Sequence, residues 1–519
     1  MGLLWTLAWV AFTVAVLGTQ AYTLITRFLW LLVHTYYRKI SVYGINNLPR
    51  EGPVIVCPNH PNMFVDAIMV ITECTRLGRP PFCWAKGAMF SNPIGSFILK
   101  KLGAVPVYRP RRAEETLADV DSDMTAEQIE AANRRMFEKT WEVLNAGNTM
   151  ILFPEGTSYT APKMLKLRTG VVRVATGFVK NYDQPIPIVP VGLTYFKKES
   201  FRSEVMIKFG APYMVTQADV ASEAFKADEK AEVKRITELL EDRMHQVTLN
   251  AREFSTITTA RVMRRLYLNT PSSIDANRDV HLTQQIINML ERDFGDDDAK
   301  KRRVEDVVRK VSAYKDALAS LRVKDQDIVL PVARESLLQL FLERTIFLLV
   351  LLPLATPGLI LNSPFYFLGT KLNKLAGFVE SQSMFKIMAA GVLVPVQWLF
   401  LILVAWAIGG AFYAKALALG LPVFLYSHIR VLEESRSVFE NVRFLFNIAA
   451  HNDKLDAIRK ERAVLTKEVD ALVTEFVDPK VLALVRKSMD AEIEKHSPKN
   501  RKSGPLRYRS LSNGDSLLQ

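Results

Sequence analysis

The stretch PVIVCPNHPNMFVDAIMVI, residues 53–71, reads as a buried strand, a stiff loop and a helix in immediate succession. Its first residues form an unbroken apolar run, the pattern of a strand covered on both faces of a sheet. Pro61 biases His60 away from helical backbone, which leaves the imidazole in an extended loop. From Met63 onward the spacing is helical and puts Asp66 in the first turns, where a carboxylate suits the helix dipole. Working outward, GPVIVCP, FCWAKG, GAVPVYR, TMILFPE, IPIVPVGLTYF and EVMIKFG read as strands within residues 39–215. Between the third and fourth, Thr125 and Gln128 form a capping box and Gly147 supplies the helix stop. Ile129, Ala132, Met136, Trp141, Val143 and Leu144 make the buried stripe of that helix. Strands alternating with helices predict an α/β domain, a mixed sheet covered by helices.

The same stretch carries chemistry. A preorganised loop lets Asp66 accept a hydrogen bond from one ring nitrogen of His60 and leaves the other free as a base, the logic of a triad whose nucleophile is a substrate hydroxyl. The competing reading, a histidine merely satisfied by its hydrogen bonds, is the commoner fate of an isolated His/Asp pair. Of seven histidines, His60 is the only one between residues 39 and 215. GAVPVYRPRR ends in Arg109, Arg111 and Arg112, permanent charges suited to phosphate, although alone such a cluster reads as solvated surface. ILFPEGTSY closes on Pro154, Glu155, Gly156 and Thr157. There a glycine lets backbone approach a ligand and Glu155 can hold substrate hydroxyls or orient an arginine, with an ordinary turn as the plainer alternative.

Composition narrows the partners. Lysine and arginine outnumber aspartate and glutamate by 67 to 54 in 519 residues, which favours an anionic partner. Basic runs such as Lys300 to Arg303 lack the aromatic interleaving of a nucleic-acid reader, so no nucleic acid is expected. Cys57, Cys74 and Cys83 make no C-x-x-C pair or His/Cys cluster, so free thiols and no metal are expected. Apolar runs decide the rest: residues 1–26 carry no charge before Arg27, and two more runs cover 345–361 and 387–414. A lipid bilayer is the expected partner, with residues 1–38 as an anchor that either spans it or lies in one leaflet as a two-helix hairpin. A soluble helical region is expected over 216–340, transmembrane helices over 341–430, a helical hairpin or coiled segment over 431–497 and a basic disordered tail over 498–519.

In order, NHPNMFVD, GAVPVYR, FPEGTS and PIVPVGL resemble the four blocks of the glycerolipid acyltransferase superfamily, which includes glycerol-3-phosphate and lysophosphatidic acid acyltransferases. VGLTYFKKESFRSEVMIKFGAP is similar to the fungal-type branch that acylates glycerol 3-phosphate and dihydroxyacetone phosphate. The resemblance implies that His60 is the base and Asp66 its partner. It further implies that Arg109, Glu155, Gly156 and Thr157 bind the acyl acceptor, joined by Arg168, where the family often has a lysine, and by Arg202. It departs from the superfamily in placing five residues, not four, between His60 and Asp66, and from the branch in EGTSY, where a double glycine is usual. The implied reaction moves an acyl group from acyl-CoA to the sn-1 hydroxyl of glycerol 3-phosphate or dihydroxyacetone phosphate, the first step of glycerolipid synthesis. No cofactor is expected beyond acyl-CoA as co-substrate. The implied location is the endoplasmic reticulum membrane with the domain facing the cytosol, and Arg27, Arg38 and Lys39 after the first apolar segment agree with the positive-inside rule. A lysophospholipid acyltransferase is the alternative within enzymes, and a catalytically silent membrane scaffold the alternative outside them.

Overall fold

The computed structural model describes residues 20–108, 125–269, 275–325, 328 and 334–496. Arg109, Arg111, Arg112, residues 1–19 and the tail 498–519 therefore lie outside the described residues. The chain divides into two compact units, Met1–Leu249 and Asn250–Gln519.

The first unit opens with helix α1 (20–36) and strand β1 (Lys39–Tyr43), followed by β2 (Val54–Pro58), α2 (Phe64–Arg76), β3 (Pro81–Lys86) and α3 (Pro93–Lys101). After β4 (Ala104–Val107) come α4 (Ala126–Asn145), β5 (Thr149–Ile151), α5 (Gly170–Tyr182), β6 (Ile186–Tyr195), β7 (Glu204–Phe209) and β8 (Tyr213–Val215). The strands form one mixed sheet in the order β1-β7-β6-β2-β5-β3-β4, with β8 pairing to β6 beside that path. β6, β2, β5, β3 and β4 run parallel, so their carboxyl ends share one rim. β6 is the hinge of this order, because its first residues pair antiparallel with β8 and its last with β7. Pro190, with no N–H to donate, falls at the junction between those two pairings, a position that tolerates it.

All six expected strands are present, β2 is buried at every residue, and α4 closes its capping box as its sequence predicts. The sheet also gains β1 and β8, short strands whose sequences carry no strong apolar run. The unit extends past residue 215. Helices α6 (Gln217–Ala221), α7 (Glu223–Ala227) and α8 (Glu229–His245) place Val220, Phe225, Val233, Ile236, Leu240 and Met244 in one core with Ile186, Ile188 and Val215. The physical reason is that β6 and α5 need a further layer to bury their apolar side chains, and α8 supplies it. α1 buries Leu29, Val33 and Tyr36 but leaves Leu24, Phe28, Trp30 and Leu31 exposed. An apolar face turned outward in this way fits a lipid interface. The three cysteines are unpaired and buried.

The second unit is helical: α9 (Phe254–Leu268), α10 (Ala276–Leu290) and α11 (Asp298–Ser320) precede the helices Arg334–Leu375, Val379–Phe476 and Pro479–His496. A buried ion pair joins Arg462 Nε to Asp325 Oδ1 at 2.9 Å, and the Tyr314 hydroxyl donates to the same oxygen at 2.6 Å. Leu455, Ile458, Leu465, Val469 and Leu472 are buried at helical spacing, and Phe476 is half-buried. Among the described residues two segments are long and apolar enough to cross a bilayer, Thr345–Lys374 with mean hydropathy 2.0 and Val379–Arg436 with 2.4. Only 17% and 11% of their most apolar windows are buried by protein, and Val350, Phe367, Ile408, Phe412 and Leu419 stand exposed. A helix of a soluble core would bury such side chains, so this unit is membrane-associated. Non-helical backbone at Gly410 and His451 breaks the long helix into shorter pieces.

Candidate active site

Three neighbouring strands meet at the rim where the histidine lies. β2 runs into Asn59 and His60, β5 into Phe153, Pro154 and Glu155, and β6 ends on Tyr195. Asn59 extends β2 past its last ladder bond: its N–H donates to Val191 O at 3.2 Å. Its side chain accepts from Leu193 N at 2.7 Å and donates to Leu193 O at 3.2 Å. The loop therefore leaves the sheet from a fixed point. Crevices beyond the carboxyl ends of parallel strands are where open α/β sheets bind ligands.

His60 Nδ1 lies 2.9 Å from Asp66 Oδ2, and the ring stacks on Phe153 with centroids 4.0 Å apart. The imidazole retains 19% side-chain exposure, while the Asp66 carboxylate has none. Nε2 has no protein partner among the described residues, so the nitrogen away from the carboxylate stays open to a ligand. The carboxylate is held from two further directions. Asn62 N donates to Oδ2 at 2.6 Å and the Tyr195 hydroxyl donates to Oδ1 at 2.6 Å, while the Asn62 side-chain amide donates in turn to the Tyr37 hydroxyl at 3.0 Å. Burial of the Tyr195 hydroxyl, with the Asp66 charge beside it, pushes its pKa far above the ordinary phenol value. These donors replace the water that a fully buried carboxylate loses.

The wider His60–Asp66 spacing has a local explanation. Met63, immediately before α2, takes φ 47° and ψ −134°, a conformation side chains rarely adopt. That bend absorbs the fifth residue and turns the Asn62 N–H back onto Asp66. Ser158 secures it from outside, donating to His60 O at 2.8 Å and accepting from Met63 N at 2.9 Å. Lys198 adds a bond to Pro61 O at 2.8 Å and another to the Thr160 hydroxyl.

Glu155 sits beside this loop, 5% exposed, with Oε1 accepting from His60 N at 2.7 Å and Oε2 from Leu165 N at 3.1 Å. Burial raises its pKa above the ordinary carboxyl value, opposed by those two backbone donors. Gly156 has φ +69°, and a Cβ there would lie 2.8 Å from Arg168 Cδ. Arg168 crosses this glycine to donate from Nε to Glu155 O at 3.2 Å, with its side chain otherwise at the surface. Thr157 is exposed on the same turn. The structure thus gathers His60, Asp66, Glu155, Gly156, Thr157 and Arg168 at one rim. Arg202 has a different employment: it takes φ 64° and donates to Tyr36 O from its backbone and to Thr35 O from Nη1 at 3.0 Å, capping the last carbonyls of α1.

Sequence patterns alone passed over Asn59, Asn62, Ser158, Lys198 and Tyr195. Tyr195 ends a recognisable strand, but only the neighbouring position of β6 and β2 brings it to Asp66. Among the described residues no group of three or more His, Cys, Asp and Glu side chains is placed to hold a metal ion. An imidazole backed by a buried carboxylate, with its second nitrogen open and an arginine nearby, can deprotonate a hydroxyl on an anionic substrate.

Comparison with known proteins agrees with this chemistry. The acyltransferase family matches residues 39–194, and the glycerol-3-phosphate acyltransferase 2 C-terminal domain matches residues 259–375. Glycerol-3-phosphate O-acyltransferase 1 of Saccharomyces cerevisiae is 23% identical over 88% of this chain and 71% of its own length. Glycerol-3-phosphate O-acyltransferase 2 of the same yeast is 23% identical over 86% of this chain and 75% of its own. A solved structure of the 1-acyl-sn-glycerophosphate acyltransferase PlsC from Thermotoga maritima is 22% identical, covering 43% of this chain and 80% of that one with a TM-score of 0.28.

Proposed function

We propose, given that this chain is a member of the acyltransferase family, that it moves a fatty acyl group from acyl-CoA to the sn-1 hydroxyl of glycerol 3-phosphate or dihydroxyacetone phosphate. The observation that carries the reading is the His60 Nδ1–Asp66 Oδ2 contact of 2.9 Å with Nε2 left open at the sheet rim. His60 Nε2 takes the proton of the acceptor hydroxyl as its oxygen attacks the thioester carbonyl. Asp66 holds the resulting imidazolium, and the tetrahedral intermediate collapses by expelling the CoA thiolate, which takes up the proton.

Arg168 is assigned to the acceptor phosphate, and the sequence resemblance assigns Arg109 to it as well. Glu155 keeps the histidine loop in place through the His60 N–H, which makes it a support of the base as well as a wall of the acceptor site. Backbone donors near Gly156 are the candidates for the tetrahedral oxyanion. The membrane-associated unit suits a product whose acyl chain partitions into lipid at roughly 0.8 kcal/mol per buried CH₂. We place the enzyme in the endoplasmic reticulum membrane with His60 on the cytosolic side, where CoA esters are made.

The test is transfer by the purified full chain in phospholipid nanodiscs, with glycerol 3-phosphate, dihydroxyacetone phosphate and lysophosphatidic acid offered separately. Faster turnover of either three-carbon phosphate, abolished by His60→Ala in a folded protein, supports the reading. Turnover of lysophosphatidic acid alone, or undiminished transfer by His60→Ala, overturns it.

A further inference from the structure

We propose that Tyr195 is a positioning residue of the transfer reaction, acting through Asp66 on the basicity and aim of His60. The inference rests on the reading of His60 as the base. Asp66 Oδ2 is already shared by His60 Nδ1 at 2.9 Å and Asn62 N at 2.6 Å, whereas the Tyr195 hydroxyl at 2.6 Å is the donor to Oδ1. With the carboxylate fully buried, no solvent can take the place of that phenol. Without it the carboxylate gains freedom about its terminal torsion and can exchange the oxygen it presents to the ring.

Tyr195 is well held for the task. Its backbone pairs with Val205 at the end of β6, and its ring lies 5.7 Å from that of Tyr37 at a 51° tilt. The titratable groups around the pair are His60, Glu155, Tyr37 and Lys198; the Tyr37 hydroxyl accepts from the Asn62 amide, and Lys198 donates to Pro61 O and to the Thr160 hydroxyl. The Tyr195 hydroxyl hydrogen-bonds the carboxylate oxygen turned away from the imidazole. A phenol donating there draws electron density off the carboxylate, tempers its pull on the Nδ1 proton and fixes Oδ2 against the imidazolium that forms during transfer. The chain thereby offsets its longer His60–Asp66 loop, whose own bend supplies the Asn62 donor on one side only.

The experiment uses the full chain in nanodiscs and two variants, Tyr195→Phe and 3-fluorotyrosine placed at residue 195. For Tyr195→Phe the expected result is a kcat about ten-fold lower with both KM values nearly unchanged, and an acid limb of kcat/KM displaced to higher pH. The sign follows because a carboxylate one donor poorer holds the imidazole proton more tightly. The fluorinated residue retains every contact and donates more strongly, so its acid limb moves to lower pH, and it decides the matter even if Tyr195→Phe unfolds. An acid limb that stays in place in the fluorinated protein overturns the inference. His60→Ala run alongside separates the two claims: transfer lost there with the limb unmoved sinks only the role of Tyr195, and transfer retained there sinks both.

Discussion

The N–H of His60 donates to Glu155 Oε1 across 95 residues of sequence, and the other Glu155 oxygen receives the N–H of Leu165. A carboxylate accepts from both sides at once, which an amide cannot do. Glu155→Gln therefore sets an NH₂ against one of two backbone donors, and the histidine loop shifts. We expect transfer to fall by an order of magnitude or more, roughly the value of a charge-assisted hydrogen bond, measured as kcat/KM for glycerol 3-phosphate.

The same residue predicts a pH dependence. Burial raises its pKa in the folded state, so the neutral form is favoured by folding. Its contribution to stability is complete below the ordinary glutamate value and declines as pH rises through the raised one. Glutamine has no such transition. The melting temperature of the wild-type protein relative to Glu155→Gln should thus be greatest at low pH and shrink toward neutrality, as thermal scans in detergent would report.

Gly156 and Arg168 form a unit of their own. An alanine at Gly156 meets both a φ of +69° and the Arg168 side chain at 2.8 Å. We expect Gly156→Ala to destabilise the fold by about 1–2 kcal/mol and to push Arg168 off the turn. That displacement should raise KM for the phosphorylated acceptor more than it lowers kcat.

Arg202 and Arg168 should behave in opposite ways. Arg202 caps α1 through Thr35 O, so Arg202→Ala is expected to lower stability by about 1 kcal/mol while leaving KM for glycerol 3-phosphate unchanged. Arg168→Ala should leave stability almost intact and raise that KM. Steady-state kinetics paired with melting curves check both.

All three thiols should be silent. Burial pushes Cys74 and Cys83 up to about 12 and Cys57 higher still. Maleimide labelling of the native protein should be negligible at neutral pH and reach three groups only after denaturation.

Much of this was legible from residue patterns because the decisive signals are local. The apolar run before Cys57, the proline after His60 and the helical spacing from Phe64 place base and carboxylate within one strand–loop–helix segment. The capping box at Thr125 is likewise a matter of adjacent residues. What stayed hidden depends on strand order. Tyr195 reaches Asp66 because β6 lies beside β2, and no spacing along the chain encodes that neighbour. The boundary expected at residue 215 fell short for a related reason, since α8 looks like any charged amphipathic helix until its apolar side is seen against α5 and β6. Arg202 carries the charge expected of a phosphate ligand, yet its left-handed backbone and the helix end beside it assign it to capping.

The Asp66–Tyr195 bond closes a separation of 129 residues. On the ribosome the catalytic dyad therefore emerges well before the phenol that completes it, and β6 must pair with β2 before the two can meet. Nascent chains halted short of that strand hold histidine and aspartate yet lack a finished centre, so competence waits on that strand and arrives all at once.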